Sequence, residues 1–424
     1  MSNVNVVVGL SLGDCGKGRI TDIYSETADL VVRVQGGNNA GHTIVVGDQK
    51  FKLHHIPSGI VRDKYCLLGA GMVIDPIIFE QEIATLENQG FDTSKILIDG
   101  SAHINFPVYS LIDKQQENNR EFIGDKSIGT TSRGIGPAYT NKYQRTGWRY
   151  WQILNTINKV KLTKYFRDVY YGGLVESKNA VDILLPYLEL MRHRIVDGRK
   201  LIGEYKNQNK NILIEGAQGC WLDIDYGQYP FVTSSCTTSA GACLGTGLGV
   251  KDINQIIGVT KAYSTYVGNG AYPAEANEED GNFLREAGGE YGTTTGRPRR
   301  CGWLDIPMLK DAIIINSCTD IVMTKIDVLS GLEKIKIVKA YDLDGQIIDY
   351  VPSNPADYAS CKPVYEEIDG WESFSKNNLK YISDLPKNAY LYIEAINDNL
   401  DKCYIDTISY GPEREQIVSG VLHA

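Results

Sequence analysis

The chain has 424 residues, 42% of them hydrophobic, and a formal net charge of −9. That length and apolar content suffice for a large core and exclude both a small stapled domain and a disordered chain. The acidic balance, with no long run of Lys or Arg, excludes a polyanion track, so no nucleic acid partner is expected, and an anionic ligand must be held by a few cations and backbone amides focused in one pocket.

In chain order, the opening MSNVNVVVGL lacks the basic start and cleavage site of a signal peptide, and no apolar segment reaches the length of a membrane span. A soluble cytoplasmic protein with no membrane partner is therefore expected. Short β-branched runs then recur, most of them ending at glycine: 4 to 10, 29 to 37, 95 to 100, 211 to 219, 255 to 264, 320 to 327 and 389 to 396. Such runs predict buried parallel strands that feed loops. Between them, residues 75 to 90 predict a helix, with Pro76 in its first turn and Gly90 past its end. Residues 150 to 205 carry apolar positions at helical spacing and predict a helical insertion that Pro186 kinks or divides. After about residue 330 the periodicity is weak. Alternating strands and helices predict an α/β fold, a large, mostly parallel twisted sheet covered on both faces, in one domain over 1 to 424. The nine cysteines form no CxxC pair and no zinc-ligand spacing, which fits free thiols in a reducing compartment.

Six loops concentrate the chemistry. The first, GLSLGDCGKGR (9 to 19), has the strand, glycines and lysine of a phosphate-wrapping loop at a helix N-terminus. It departs from GxxxxGK[ST], because Ser11 and Gly18 stand where that pattern needs Gly and a hydroxyl. Asp14 is then the obvious oxygen donor for Mg²⁺. In QGGNNAGHT (35 to 43), small residues expose backbone, and His42 can move a proton near neutral pH. SIGTTSRGIGPAYTNKYQR (127 to 145) offers Thr130, Thr131, Arg133, Lys142 and Arg145 to a second phosphate. Residues 215 to 249 are long, polar and glycine-rich, suited to a pocket wall. YGTTTGRPRRCGW (291 to 303) sets Arg297, Arg299 and Arg300 beside three threonines, a composition for a small dicarboxylate or a transferring phosphoryl group. TKID (324 to 327) ends an apolar strand and is similar to the lysine and aspartate by which many GTP-binding proteins read guanine.

Taken together, these loops resemble the adenylosuccinate synthetase family, from residue 4 to about 415. The most specific stretches are GIGPAYTNKYQR (134 to 145), EGAQGCWLDID (215 to 225) and GTTTGRPRRCGWLD (292 to 305). The resemblance implies GTP-dependent joining of L-aspartate to IMP through a 6-phosphoryl intermediate, in AMP biosynthesis. It implies a catalytic set of Asp14, His42 and Lys17, with Asp14 as the base at N1 of IMP and His42 as the acid toward the phosphoryl group. Mg²⁺ is implied on Asp14 and the carbonyl of Gly41. The IMP site is implied at Asp14, Cys15, Gly16, Lys17, Asn39, Ala40, Gly41, His42, Thr131, Gln218, Thr233 and Arg297, with Arg145 reaching into the neighbouring subunit of a homodimer. Aspartate is implied on Thr293, Thr294, Thr295, Arg297 and Arg299. GTP is implied on Gly13, Gly16, Lys17, Gly18, Gly41, His42, Thr43 and Arg299, and its base on Lys325, Ile326, Asp327, Ser409, Tyr410 and Gly411.

The chain departs from the family pattern at Ser11, Leu12 and Cys15, where Gln, Trp and Glu are usual, and at Ser132, Cys236 and Tyr266, where Gly, Asn and Arg are usual. These changes leave open a relative with another acceptor or donor, dGMP or ATP, or a nucleotide-binding protein with impaired catalysis. Retention of Asp14 favours IMP.

Overall fold

The computed structural model describes residues 2–47, 49–154, 159–169, 177–292, 296–376 and 379–420. A ten-stranded sheet forms the frame. Its order runs Ile417–Ser419, Ile405–Ser409, Asp320–Thr324, Gln255–Lys261, Val4–Gly9, Ile212–Glu215, Leu30–Arg33, Tyr65–Leu68, Ile96–Asp99, Ile195–Val196. Every neighbouring pair is parallel except the edge strand Ile417–Ser419, which runs against Ile405–Ser409.

Alternation along the strands explains why they read as continuous apolar runs. Val4, Val6 and Val8 enter one core while Val7 enters the other; Leu30 and Val32 separate from Val31 in the same way, and Ile212 and Ile214 from Leu213. Both sheet faces are thus buried, as parallel strands require. The first strand, Val4–Gly9, sits in the middle of the sheet; later strands follow outward on one side, while on the other Ile212–Glu215 is inserted before Leu30–Arg33, Tyr65–Leu68, Ile96–Asp99 and Ile195–Val196. Such a reversal opens a crevice at the carboxyl ends of the strands.

The helix expected over 75 to 90 is present as Pro76–Asn88. Asp75 caps it by accepting from the amides of Ile77 and Ile78 at 3.0 and 3.2 Å, and Gly90 follows in the left-handed region. Two expectations need correction. The run 389 to 396 is not a strand but lies in the helix Lys387–Asn397, because its buried residues Ala389, Tyr392, Ile393 and Ile396 recur at helical spacing. Pro186 does not divide its helix, which runs unbroken from Ser177 to Met191.

The described residues between 150 and 205 are mainly helical but also supply the edge strand Ile195–Val196. Beyond 330 a second sheet forms. Lys334–Leu343 pairs with Leu304–Asp305 in parallel and with Gln346–Ile348 and Lys362–Asp369 antiparallel. No helix among the described residues is long and apolar enough to cross a membrane.

Candidate active site

The carboxyl ends of the central strands open into a cleft of about 1420 Å³. Its floor is the loop after Val4–Gly9. There Gly13, Asp14 and Gly16 all have positive φ, at 100°, 48° and 85°, which turns the chain sharply into the helix Lys17–Tyr24. Gly16 caps that helix without a side-chain hydrogen bond, so the first amides remain available to an anion. Lys17 is buried, donates to the carbonyl of Gln218, and lies 3.6 Å from Cys15 Sγ.

The absent hydroxyl at position 18 has a steric cause. A Cβ on Gly18 would stand 2.7 Å from His42 Cβ, so the loop gives up a phosphate-loop Ser or Thr to admit the histidine. His42 begins the hairpin strand His42–Val46, and its Nδ1 pairs with the buried carboxylate of Glu215 at the end of Ile212–Glu215. Glu215 also accepts from the amide and hydroxyl of Ser58 at 2.7 and 2.8 Å. Burial would raise its pKa, but His42, the nearby Arg33 and the Ser58 amide outweigh that and keep it ionised. Burial lowers the pKa of His42, aided by Arg33 and Lys17 and opposed by Glu215. A neutral ring donating Nδ1–H to Glu215 carries its lone pair on Nε2. An arriving phosphate chain favours protonation there.

A cation cluster forms the opposite wall. Arg299 Nη2 lies 3.0 Å from Asp14 Oδ2, while its Nη1 bonds Glu290 Oε2. Glu290 is fully buried and also accepts from Lys325 at 2.6 Å, Lys261 at 3.1 Å and the Tyr263 hydroxyl. Burial alone would raise the pKa of Glu290, but Lys261, Lys325 and Arg299 hold it well below the carboxylate range. Burial drives Lys261 down to about 8.

Asp14, Cys15, Asn39, Ala40, Gly41, Thr43, Thr131, Gln218 and Thr233 all face this one cleft, as do Gly13 and Gly18. So do Lys325, Asp327, Ser409 and Gly411. Lys325 adopts the left-handed region, φ 61°; Asp327 pairs with Lys376, and Ser409 accepts from Arg19. Ile326 and Tyr410 are buried behind them. Arg145 is exposed and outside the cleft wall, as is Arg297, which donates to Asn269 at 3.2 Å. Thr293, Thr294 and Thr295 lie outside the described residues.

Two of the unusual residues have clear surroundings. Ser132 holds φ 53°, a conformation suited to the usual glycine. Tyr266 lines the cleft and lies against Arg300 of the neighbouring strand, whose guanidinium is 5.6 Å from the ring centroid but pairs with Glu275 outside the cleft wall.

Sequence reasoning passed over Glu215, Glu290 and Lys261. A charged residue closing an apolar strand was the available signal in ILIE and QIIGVTK; Glu290, in GGEYG, gave none.

Frame and cleft define an α/β enzyme whose phosphate-binding loop is joined to a His–Glu pair and a bank of cations. The family model described as adenylosuccinate synthetase matches residues 6–418. The adenylosuccinate synthetase of Clostridium novyi is 44% identical over 423 residues, 97% of this chain and 98% of that one; that of Caldicellulosiruptor bescii is 43% identical over 428 residues, 99% of each. The fully ligated adenylosuccinate synthetase of Plasmodium falciparum superposes with a TM-score of 0.93 at 40% identity, covering 99% of this chain and 100% of that one. A cyanophage S-2L succinoaminodeoxyadenylate synthetase, solved with dGMP and dATP, shares the fold alone, with a TM-score of 0.63 at 19% identity over 99% of this chain and 95% of that one. The chain belongs to the adenylosuccinate synthetase family. It is thereby a ligase, and its reaction is the GTP-dependent joining of L-aspartate to IMP in AMP biosynthesis.

Proposed function

We propose that the reaction runs in two displacements within this cleft. Asp14 takes the N1 proton of IMP; O6 attacks the γ-phosphorus of GTP, and the bond to the β-phosphate oxygen breaks to release GDP. The aspartate amine then attacks C6, the C6–O bond breaks, phosphate leaves with the former O6, and the amine loses its proton. Without the first displacement the purine oxygen is a poor leaving group, so base, cation clamp and dry pocket are needed together. The observation that carries the reading is the meeting of Asp14, His42 and Arg299 at the strand ends, with Lys325 and Asp327 farther along the same wall.

His42, oriented by Glu215, hydrogen-bonds the transferring phosphoryl group, and Lys17 with the helix amides binds phosphate. Asn39, Thr131, Gln218 and Thr233 hold IMP; Arg299, with Arg297 and Thr293 to Thr295, takes aspartate. Lys325, Asp327, Ser409 and Gly411 hold guanine, which requires Asp327 to exchange Lys376 for the base. Asp14 and Gly41 line the same cleft, and a carboxylate beside a backbone carbonyl suits Mg²⁺, a hard cation that takes one or two protein oxygens beside substrate phosphates and water. When bound there it offsets phosphate charge. The exposed position of Arg145 supports a role in the partner's site of a homodimer, and nine unpaired cysteines support a cytoplasmic setting.

The test is product mass from purified protein with aspartate and Mg²⁺, supplying IMP or dGMP with GTP or ATP. Adenylosuccinate from IMP and GTP, at least tenfold faster than any other pairing, is expected on the grounds of paired hydrogen-bond readout of each base. Equal turnover of dGMP, or none with IMP and GTP, contradicts the reading.

A further inference from the structure

Glu290 makes no part of the cleft wall, yet its one carboxylate is shared by four donors. Oε1 accepts from Lys325 at 2.6 Å, Lys261 at 3.1 Å and Tyr263, and Oε2 accepts from Arg299. The backbone adds a further tie, the Arg299 amide donating to the Glu290 carbonyl at 3.0 Å. Two of the three cations, Arg299 and Lys325, reach past Glu290 to line the cleft, whereas Lys261 stays fully buried. Arg299 grips Asp14, and Lys325 stands two residues before Asp327. A single buried anion therefore holds two neighbouring cations of the cleft wall, one tied to Asp14 and the other on the segment that carries Asp327.

We propose that Glu290 is a positioning residue for the reaction: it sets where Arg299 and Lys325 stand, and so tunes the aspartate and GTP sites without touching either substrate. This rests on the roles assigned above to those two cations. The physical reason is that three like charges crowd around one anion that offsets their repulsion; the other contacts of Arg299 to Asp14, Lys325 to the Gly288 carbonyl at 2.8 Å and Lys261 to the Thr265 hydroxyl do not bring the three together. A neutral amide in its place accepts fewer donors, turns its own N–H groups toward a cation, and releases Arg299 onto Asp14 and Lys325 toward solvent. None of Asn39, Thr131, Gln218 or Thr233 bonds Glu290, and its one link toward the IMP site runs through Arg299 to Asp14, so the IMP values move least.

The experiment is steady-state kinetics on the full chain with each substrate varied in turn, beside calorimetric titration with GDP and with IMP. For Glu290→Gln, KM for GTP and for aspartate and Kd for GDP rise about tenfold or more, while KM and Kd for IMP stay within about threefold of wild type. Glu290→Asp keeps the charge on a shorter arm and brings the GTP, aspartate and GDP values back to about two- to fivefold of wild type. Should the Gln variant not fold, the Asp variant decides: a rise confined to those three values supports positioning. Unchanged KM and Kd values, with only a lower Tm and a smaller active fraction, would make Glu290 merely structural and overturn the proposal. If wild type does not turn over, the functional reading fails, and weaker GDP binding in the variants then shows only that Glu290 sets the nucleotide site through Lys325; turnover in wild type with GDP affinity and KM values unmoved overturns this proposal alone.

Discussion

Arg299 joins Asp14 to Glu290: one guanidinium nitrogen lies 3.0 Å from the half-buried carboxylate of Asp14 and the other bonds the fully buried one of Glu290. The proposed base is thus clasped before substrates arrive. On the proposed assignment of aspartate to Arg299, an entering dicarboxylate competes for the same guanidinium, which couples aspartate loading to release of Asp14.

Replacing the fork tests this coupling. Arg299→Lys keeps the charge but loses two-point grip, and kcat/KM for aspartate falls about 100-fold while IMP affinity stays within about threefold. Initial rates at varied aspartate, with calorimetry for IMP, measure both.

Glu215 makes a second prediction. With its charge removed in Glu215→Gln, Nδ1 of His42 loses the ionised acceptor that fixes its tautomer, and kcat falls roughly 100-fold with KM for IMP little changed. Buried Arg33 also loses a nearby counter-charge, so Tm falls as well. Differential scanning calorimetry beside single-turnover rates separates the two effects.

Gly18→Ser would restore the hydroxyl of the common phosphate-loop pattern, yet it is expected to reduce turnover by about 100-fold, because the added Cβ displaces His42. A gain in GTP affinity or rate would show that the histidine does not set this position.

The pKa of Lys261 gives a pH prediction with a definite sign. Its folded value is about 8 against 10.5 for the free side chain, so between these pH values the unfolded chain binds a proton the folded one lacks. Its contribution makes unfolding free energy rise with pH across that window, by up to about 3 kcal/mol, and flatten below pH 8. Lys261→Met removes that component. Urea titrations of both proteins from pH 7 to 10.5 measure the difference in slope.

How much of this was legible in the sequence varies with physical cause. The central strands were readable because burial on both faces selects unbroken β-branched runs such as Val6 to Val8. The run 389 to 396 misled because AYLYIEAI has strand-like composition, whereas its buried residues follow a helical period. Lys334–Leu343 was missed although its opening Lys–Ile–Lys–Ile alternates, with Ile335 and Ile337 buried and Lys334 exposed. The loop residues that face the cleft were legible through strand-end glycines. Glu290 was not, since its importance comes from cations on three separate segments, 9, 29 and 35 positions away, that only the fold gathers on one carboxylate. The His42–Glu215 pair likewise forms only when the fold brings together residues 173 positions apart.

The central claim is that Asp14 activates the purine so that O6 becomes a phosphate oxygen. The direct measurement starts from IMP labelled with ¹⁸O at C6 and follows the label by mass spectrometry. The account predicts one ¹⁸O in each phosphate released by the wild-type chain, and neither phosphate nor adenylosuccinate from Asp14→Asn, with IMP still bound. Unlabelled phosphate accompanying adenylosuccinate, or undiminished label transfer in Asp14→Asn, would contradict it.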